Sequence, residues 1–472
     1  MGMKEENLKK LQEEKDYRRA YALFQGSPWD MQWDDAPYRG RGETYVNRDS
    51  ARQIWDRIMQ TEASPQRPSA LYIHIPFCSL ACTYCGFYKK QADPEEQEAY
   101  TDLLIKEMES ISSRKYIRTS CLQAVFMGGG TPGILRPRQI VRLMETVKKV
   151  FPMADNAEIT MESSLTDMTE EKMAAAIRAG VNRFSFGVQS FQTEVRNRIG
   201  RPDSQEEVLR KLALFSAFPA DIVIDLIYGL PGQTAPMAAE DAAAAAEAGL
   251  AGLDLYRLQI LPQSPLGASF RASGKTQDEE LCRDMFRRQT AVLEKAGARA
   301  ISCSHWKMKP SERSLYNTLA GGDCDIFAMG MACGGRLRPL RWMKTSRGKV
   351  YEQDCADGIY GAAGGIRRRD ESFVLDFVES ACTRGVIQPG RLEKQTGLPL
   401  QAALLPLLDS WSRWGLMSEK DGTYVYTAAG RYWYRTIMRI LLKTAEYLLS
   451  GPPGRGEQIP MAAYGKGMKN MT

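Results

Sequence analysis

Two rhythms of apolar and polar residues share most of the chain. From residue 69, six short apolar runs recur: SALYIHIP (69–76), LQAVFMGG (122–129), AEITMES (157–163), VNRFSFGV (181–188), DIVIDLIYG (221–229) and GLDLYRLQI (252–260). Between them lie stretches of helical period, EEQEAYTDLLIKEMESISS, RPRQIVRLMETVKKVF, TEEKMAAAIRAG, SQEEVLRKLALFSA and MAAEDAAAAAEAG, several opened by Ser or Thr at an N-cap position. Strand and helix patterns in alternation predict βα units on a parallel sheet. Six of them in series predict an α/β fold, a partial (β/α)6 barrel of TIM type over residues 69–300.

The flanks read differently. Residues 1–68, with WDMQW and the turn-rich APYRGRGE, form an N-terminal extension. After about residue 298 the texture changes: RAISCSHWKMK suggests another strand and loop, and DCDIFAMGMACGGRL is rich in glycine. Residues 301–369 are read as a substrate-site strand and glycine-rich segment. Residues 370–450 are read as helices with a short hairpin, a small accessory domain, and 451–472 as a disordered tail.

Within the predicted barrel the chemistry gathers at strand ends. Cys78 follows the first strand, Gly128 to Thr131 follow the second, Glu162 closes the third, Gln189 closes the fourth and Asp225 lies late in the fifth. That rim is where parallel βα folds bind ligands, because side chains and loop amides of neighbouring strands converge there.

Composition narrows the classes. A chain of 472 residues exceeds what one core supports, so a large domain with smaller attachments is expected. The 63 basic and 57 acidic residues leave +6, too mild and diffuse to argue for nucleic acid. Residues 1–20 are charged throughout, and no run of about 18 apolar residues occurs, so neither secretion nor a membrane span is supported and a cytoplasmic place is expected. Ten cysteines are too sparse for a disulfide scaffold. Three of them cluster.

That cluster is HIPFCSLACTYCGFYKK, which sets Cys78, Cys82 and Cys85 at C-x3-C-x2-C with no fourth ligand beside them. Structural zinc wants a closed tetrahedral shell. His74 is the nearest candidate for one, but it lies within the apparent strand, and four extended residues span up to ~13 Å. A cubane iron–sulfur cluster on three thiolates would leave one iron open to a substrate or cofactor. Both centres suit the spacing.

C-x3-C-x2-C after a first barrel strand, with Tyr84 just before the last cysteine, resembles the radical S-adenosylmethionine (SAM) enzymes. GGGTP (128–132) resembles their glycine loop, where the absence of a Cβ admits close backbone approach. YIHIPFC, GGGTP, GVQSF and IDLIYGLPGQT narrow the resemblance to the branch of oxygen-independent coproporphyrinogen dehydrogenase, over about residues 69–440. It implies a [4Fe–4S] cluster on Cys78, Cys82 and Cys85 and one or two molecules of SAM. By position in those motifs, Tyr72, Gly130, Glu162, Gln189, Arg201 and Asp225 correspond to residues that contact SAM, and Tyr84, Gly129 and Thr131 to residues near a second SAM. The accessory domain would be winged-helix-like.

Within that branch, Phe87 stands where the dehydrogenase has a further cysteine, and Gly86 where the heme chaperones usually have an acidic residue. ITMESSLTDMTEEKM, GVNRFSFGVQSF, SHWKMKPSERSLYN and MGMACGGRL resemble the anaerobic heme-degrading methyltransferases, the anaerobilin synthases; Cys333 departs from that pattern. The resemblance implies an enzyme that cleaves SAM to a carbon radical and adds a SAM-derived carbon at a heme meso position. The macrocycle then opens to a linear tetrapyrrole and iron is released. It also implies a low-potential electron donor such as flavodoxin or ferredoxin and a tetrapyrrole substrate; SEKDGTYVYTAAGRYWY in the accessory domain offers no basic stripe, so no nucleic-acid partner is expected.

His305 is one of just two histidines. Imidazole is a usual heme ligand, so His305 is a candidate axial ligand or proton donor; the alternative is a loop histidine packed beside Trp306. His74, inside the strand, is read as structural or as a support behind the site. The run RLRPLRWMK (336–344) offers arginines to heme propionates, or is only a solvated face. Cys121, Cys282, Cys303, Cys324, Cys355 and Cys382 are scattered, and buried inert thiols are expected there.

Overall fold

The computed structural model describes residues 3–21, 26–31, 43–86, 91, 93–357, 362–368 and 373–452. Phe87 and nearly all of the expected disordered tail therefore lie outside the described residues.

In chain order the main sheet contains β1 (Glu43–Asn47), β2 (Ser69–Ile75), β3 (Leu122–Gly129), β4 (Met153–Ser163), β5 (Arg183–Gln189), β6 (Asp221–Tyr228) and β7 (Gly252–Arg257). It continues with β8 (Arg299–Ala300), β9 (His305–Lys307), β10 (Asp325–Met329), β11 (Gly334–Leu337), β12 (Leu340–Lys344) and β13 (Ala362–Arg368). The spatial order is β1-β13-β12-β11-β10-β2-β3-β4-β5-β6-β7-β9-β8. The six apolar runs are β2 to β7, all parallel. β10 joins beside β2 as a seventh parallel strand. β7 pairs with β9 and β10 with β11, both antiparallel, so the sheet stays open and the barrel is partial.

Alternation along each strand separates two faces. On β2, Leu71, Ile73 and Ile75 enter the main core, as do Ile222, Ile224 and Leu226 on β6 and Leu253 and Leu255 on β7. The residues between them, Tyr72 and His74, Asp225, and Asp254 and Tyr256, face the barrel interior. At the start of the strands a short helix, Leu315–Ala320, plugs that interior, its Leu315, Tyr316 and Leu319 packed on Ala70, Ala124 and Cys324. The Glu158 carboxylate accepts from the backbone N–H of Leu315 at 2.8 and 2.9 Å and of Tyr316 at 3.2 Å, which satisfies the first turn of the plug.

The accessory domain has its own core. Helices Val374–Arg384, Pro389–Thr396, Leu400–Trp414 and Tyr434–Ser450 surround a three-stranded sheet of Val386–Ile387, Thr423–Tyr426 and Met417–Lys420, in a winged-helix-like order. The N-terminal residues divide between the two cores. Leu11, Tyr17, Ala20 and Met31 pack in the accessory core, whereas Ala51, Ile54, Trp55, Ile58 and Met59 pack against the barrel. Among the described residues no helix is long and apolar enough to cross a membrane.

Candidate functional site

Two loops meet at the C-terminal ends of β2 and β3. Gly130 donates its backbone N–H to Ile75 O and Thr131 to Phe77 O, each at 2.7 Å, so the glycine loop is bonded to the backbone that leads into Cys78. A Cβ on Gly130 would lie 2.4 Å from Phe77 O. Gly129 sits at φ +110, where a Cβ would also strike the His74 ring. These glycines are required by contact, not only by a turn. Thr131 also hydrogen-bonds the Cys78 thiol.

The cysteine loop is held by the segments that follow β5 and β7. Thr83 donates its N–H to Ile199 O at 3.2 Å and accepts from Leu266 at 2.9 Å, and Cys85 closes a turn on Cys82 O at 3.3 Å. Burial pushes the Cys78 thiol up, and the nearby Cys85 and Cys82 add to that effect. Among the described residues no group of three His, Cys, Asp or Glu side chains closes on a point that would hold one metal ion. Three thiols on one loop, each able to ligate one iron as a thiolate, suit the corners of a cubane cluster. Cys82 lies beside Arg201, which hydrogen-bonds Tyr84.

The interior wall carries the other polar residues. Gly129 donates to Glu162 Oε2 at 3.2 Å. Burial raises Glu162 to about 8, with Asp225 adding to the shift; burial and the neighbouring Asp254 raise Asp225 to about 7. Arg201 donates to Gly187 O at 2.6 Å, while its Nε has no protein partner. Gln189 adopts φ +72, and its buried Oε1 also lacks a partner. Tyr72 stacks on Phe126 at 6.2 Å and meets His74 Nδ1 at 3.3 Å. Two protonatable carboxylates, unpaired amide and guanidinium atoms and a glycine loop thus line one lumen beside three cysteines. A small zwitterion bearing extra positive charge fits that donor set.

His74 lies behind the site: its ring packs against the glycine loop, its Nε2 is buried without a partner, and burial lowers it to about 4. Other expectations change. His305 is not an open rim residue. Its Nδ1 lies 2.9 Å from Asp254 Oδ2, its Nε2 lies 3.1 Å from Glu312 Oε1 without an aligned hydrogen bond, and at 1 % exposure the ring is closed to a heme iron. Burial opposes its charge, but the two carboxylates outweigh it and push the imidazole up to about 9.

The basic run 336–344 is spent internally. Arg336 donates to Cys324 O at 3.0 Å, Arg338 pairs with Asp323 at 2.7 Å, Arg341 with Asp376 at 3.3 Å, and Lys344 with Glu107. These partners argue against the propionate role. Cys121 is exposed and Cys355 half-buried, so the expectation of inert burial holds for Cys282, Cys303, Cys324 and Cys382 only. Cys333 is buried and donates to Gly330 O at 2.9 Å, as a small residue with a weak donor.

Sequence reasoning passed over Asp254 and Tyr256. The signal was present in GLDLYRLQI, whose acidic residue and tyrosine stand two apart on a strand and therefore share the inward face. Asp254 is the direct cross-strand neighbour of Asp225.

Residues 72–244 match the model of the radical SAM superfamily. The chain is 32 % identical to anaerobilin synthase of Escherichia coli O157:H7 over 86 % of its own length and 91 % of that protein's. It is 30 % identical to the heme chaperone HemW of Haemophilus influenzae over 79 % of this chain and 98 % of that one. Its fold superposes on the radical SAM coproporphyrinogen III oxidase HemN of Escherichia coli with a TM-score of 0.71 at 24 % identity, covering 88 % of this chain and 99 % of that structure. The cofactors of this family are a [4Fe–4S] cluster and SAM, and the residues at the lumen fit both. Motif, fold and extent of similarity therefore agree: the chain belongs to the radical SAM superfamily, in the branch that includes anaerobilin synthase, the HemW heme chaperones and oxygen-independent coproporphyrinogen III oxidase.

Proposed function

We propose that this chain is an anaerobic radical SAM methyltransferase that opens the heme macrocycle to a linear tetrapyrrole and releases iron. The observation that carries the reading is the match to anaerobilin synthase, at 32 % identity over 91 % of that protein. Gly86 and Phe87 add support, since the chaperones usually have an acidic residue at the first position and the dehydrogenase a cysteine at the second.

Cys78, Cys82 and Cys85 would hold the cluster, and with SAM bound it would supply the low-potential electron from which a carbon radical is generated. The protein's part is to bind, orient and exclude water. Glu162 and Asp225 supply the negative charge that the amino and sulfonium groups of SAM call for, and the SAM carboxylate suits Arg201. Gln189 and Tyr72 complete that contact set. Tyr84, Gly129 and Thr131 border a place for a second SAM beside the cysteine loop. The working setting is the cytoplasm, with a low-potential flavodoxin or ferredoxin as donor. Nucleic acid is not a partner in this reading, because SEKDGTYVYTAAGRYWY offers no basic recognition stripe.

A second reading, heme delivery with SAM bound but not consumed, is favoured by the near-complete cover of the HemW chaperone. One anaerobic assay separates the two. Reconstituted protein with heme, SAM and a low-potential reductant is expected to lose the Soret band, form 5′-deoxyadenosine and yield a linear tetrapyrrole by mass. Unchanged heme with intact SAM would overturn the enzymatic reading.

A further inference from the structure

Tyr256 stands on the inward face of β7, two residues beyond Asp254. Glu162, Asp225 and Asp254 all act on it electrostatically, yet 39 % of its surface is free. Free surface among the half-buried Glu162 and Asp225 and the buried Asp254 belongs to the lumen wall.

Behind this tyrosine runs a chain of charges. Tyr256 and Asp254 stand two apart on the same face of β7, and the Asp254 carboxylate, after burial, holds the Tyr256 hydroxyl well above its ordinary range. That carboxylate meets His305 Nδ1 at 2.9 Å, and His305 Nε2 lies 3.1 Å from Glu312. Glu312 in turn pairs with Arg183 at 3.1 Å and accepts from the Ser314 N–H at 2.7 Å. Asp254, His305, Glu312 and Arg183 are each 3 % exposed or less, so the charges alternate in sign within the protein. A buried charge without a partner is costly, and this order gives each one two neighbours of opposite sign or a hydrogen bond in its place. The segment SHWKMKPSERSLYN (304–317) supplies His305 and Glu312 as well as the plug helix, which accounts for why one stretch carries both.

An ionised Asp254 can only accept a hydrogen bond. Beside it the Tyr256 hydroxyl keeps its proton, and the lone pairs of its oxygen face the lumen as acceptors. We propose that Tyr256 is a contact residue for the tetrapyrrole, presenting its ring to the macrocycle and its oxygen as an acceptor, with Asp254, His305 and Glu312 as positioning residues. The inference rests on the tetrapyrrole reading above for the identity of the ligand. Pyrrole N–H groups, which appear when iron leaves the macrocycle, are donors of the matching kind, so the acceptor favours the metal-free product side of the reaction.

Two measurements test it. The chain has two histidines, so 15N-histidine NMR of the full-length protein resolves both without the cluster. The groups facing His305 are Asp254, Glu312, Arg183 and Asp225. His305 is expected to stay doubly protonated to about pH 9, and His74 to stay neutral down to about pH 4. Asp254→Asn should move the His305 transition down by one pH unit or more; a wild-type His305 that titrates near the ordinary value of about 6.5 overturns the positioning role. Soret titration of the reconstituted protein reads the contact. Tyr256→Ala is expected to weaken heme binding about tenfold, and Tyr256→Phe about threefold, with Asp254→Asn and His305→Gln matching the phenylalanine variant. Tyr256 is on the lumen surface, so its variants should fold. Heme binding by Tyr256→Ala within about twofold of wild type overturns the contact. If the wild-type chain takes up no heme, the tetrapyrrole reading falls and with it this ligand for Tyr256, while the histidine titration still decides the charge chain. If heme binds without macrocycle opening, the proposed activity falls and the contact stands.

Discussion

Gly130 and Ile75 are joined by a 2.7 Å backbone hydrogen bond that fixes the glycine loop to the strand leading into the cysteines. A side chain on that glycine meets backbone, Phe77 O at 2.4 Å and Ile75 O at 2.9 Å, so nothing nearby yields by a rotamer change. Gly130→Ala is expected to cost about 1–3 kcal/mol as overpacking and to lower cluster incorporation, because the loop it displaces carries Cys78. Iron content after anaerobic reconstitution and a thermal melt measure the two effects. Gly348→Ala, with open space around the added carbon, is the control. Equal iron content in both variants would count against the loop's role.

The interior carboxylates predict an inverted pH response. Glu162 is raised to about 8 in the folded chain, chiefly by burial, so below that pH the native state holds a proton the unfolded state has released. Its contribution is full below the ordinary carboxylate range and is lost as pH rises toward about 8. Asp225, raised to about 7, acts in the same direction. Glu162→Gln removes the titration. Its stability relative to wild type should therefore climb by about 1–3 kcal/mol between pH 5 and 8.5, with allowance for water in the lumen. Urea denaturation at several pH values measures it, and a flat difference would refute the shifted acid. SAM, which brings positive charge, should tighten as these groups ionise.

Much of this was readable from periodicity, and what was not has a common cause. All six runs became β2 to β7 because a parallel strand announces itself by a local apolar stretch between helical patterns. β10 pairs with β2 across more than 250 residues of chain, and no local signal states such a pairing. The cysteines and the glycine loop were legible because each is a short motif whose chemistry depends on spacing. His305 was misplaced for the opposite reason. Its partners, Asp254 and Glu312, come from separate segments, and a lone histidine in a sequence does not show which carboxylates will surround it.

If Cys78, Cys82 and Cys85 hold the cluster, each Cys→Ser change should abolish it. Reconstituted wild-type protein should be brown with about four irons per chain, as a cubane requires. Each variant should hold a small fraction of that while keeping the wild-type melting profile in the absence of iron. Cys121→Ser, at an exposed position, should bind iron as wild type does. Full iron content in any of the three variants would remove that cysteine from the ligand set.

Residues 3–20 are bound into the far end of the chain. Tyr17 donates its hydroxyl to Ala403 O at 2.6 Å, Trp411 donates its indole N–H to Ala20 O at 2.9 Å, and Asn7 donates to Leu448 O at 3.2 Å. Leu11 and Tyr17 are both buried there, at 3 % and 5 % exposure. Removing residues 1–21 would uncover apolar surface worth about 1.5–3 kcal/mol per large side chain. It would also leave the Trp411 N–H, the Ala403 carbonyl and the Leu448 carbonyl without these partners, at about 1–3 kcal/mol for each one that stays buried. The barrel core does not include these residues, so the loss should fall on the accessory domain alone. Hydrogen exchange is expected to accelerate in helices Leu400–Trp414 and Tyr434–Ser450 and to stay unchanged in β2 to β7. Arg257 pairs with Glu279 and reaches Tyr432 at 3.4 Å, so the accessory domain also touches the end of β7. The truncated protein should therefore bind SAM normally but heme more weakly. Protection in those two helices equal to the full-length chain would show that the N-terminal segment does not stabilise the domain it packs on.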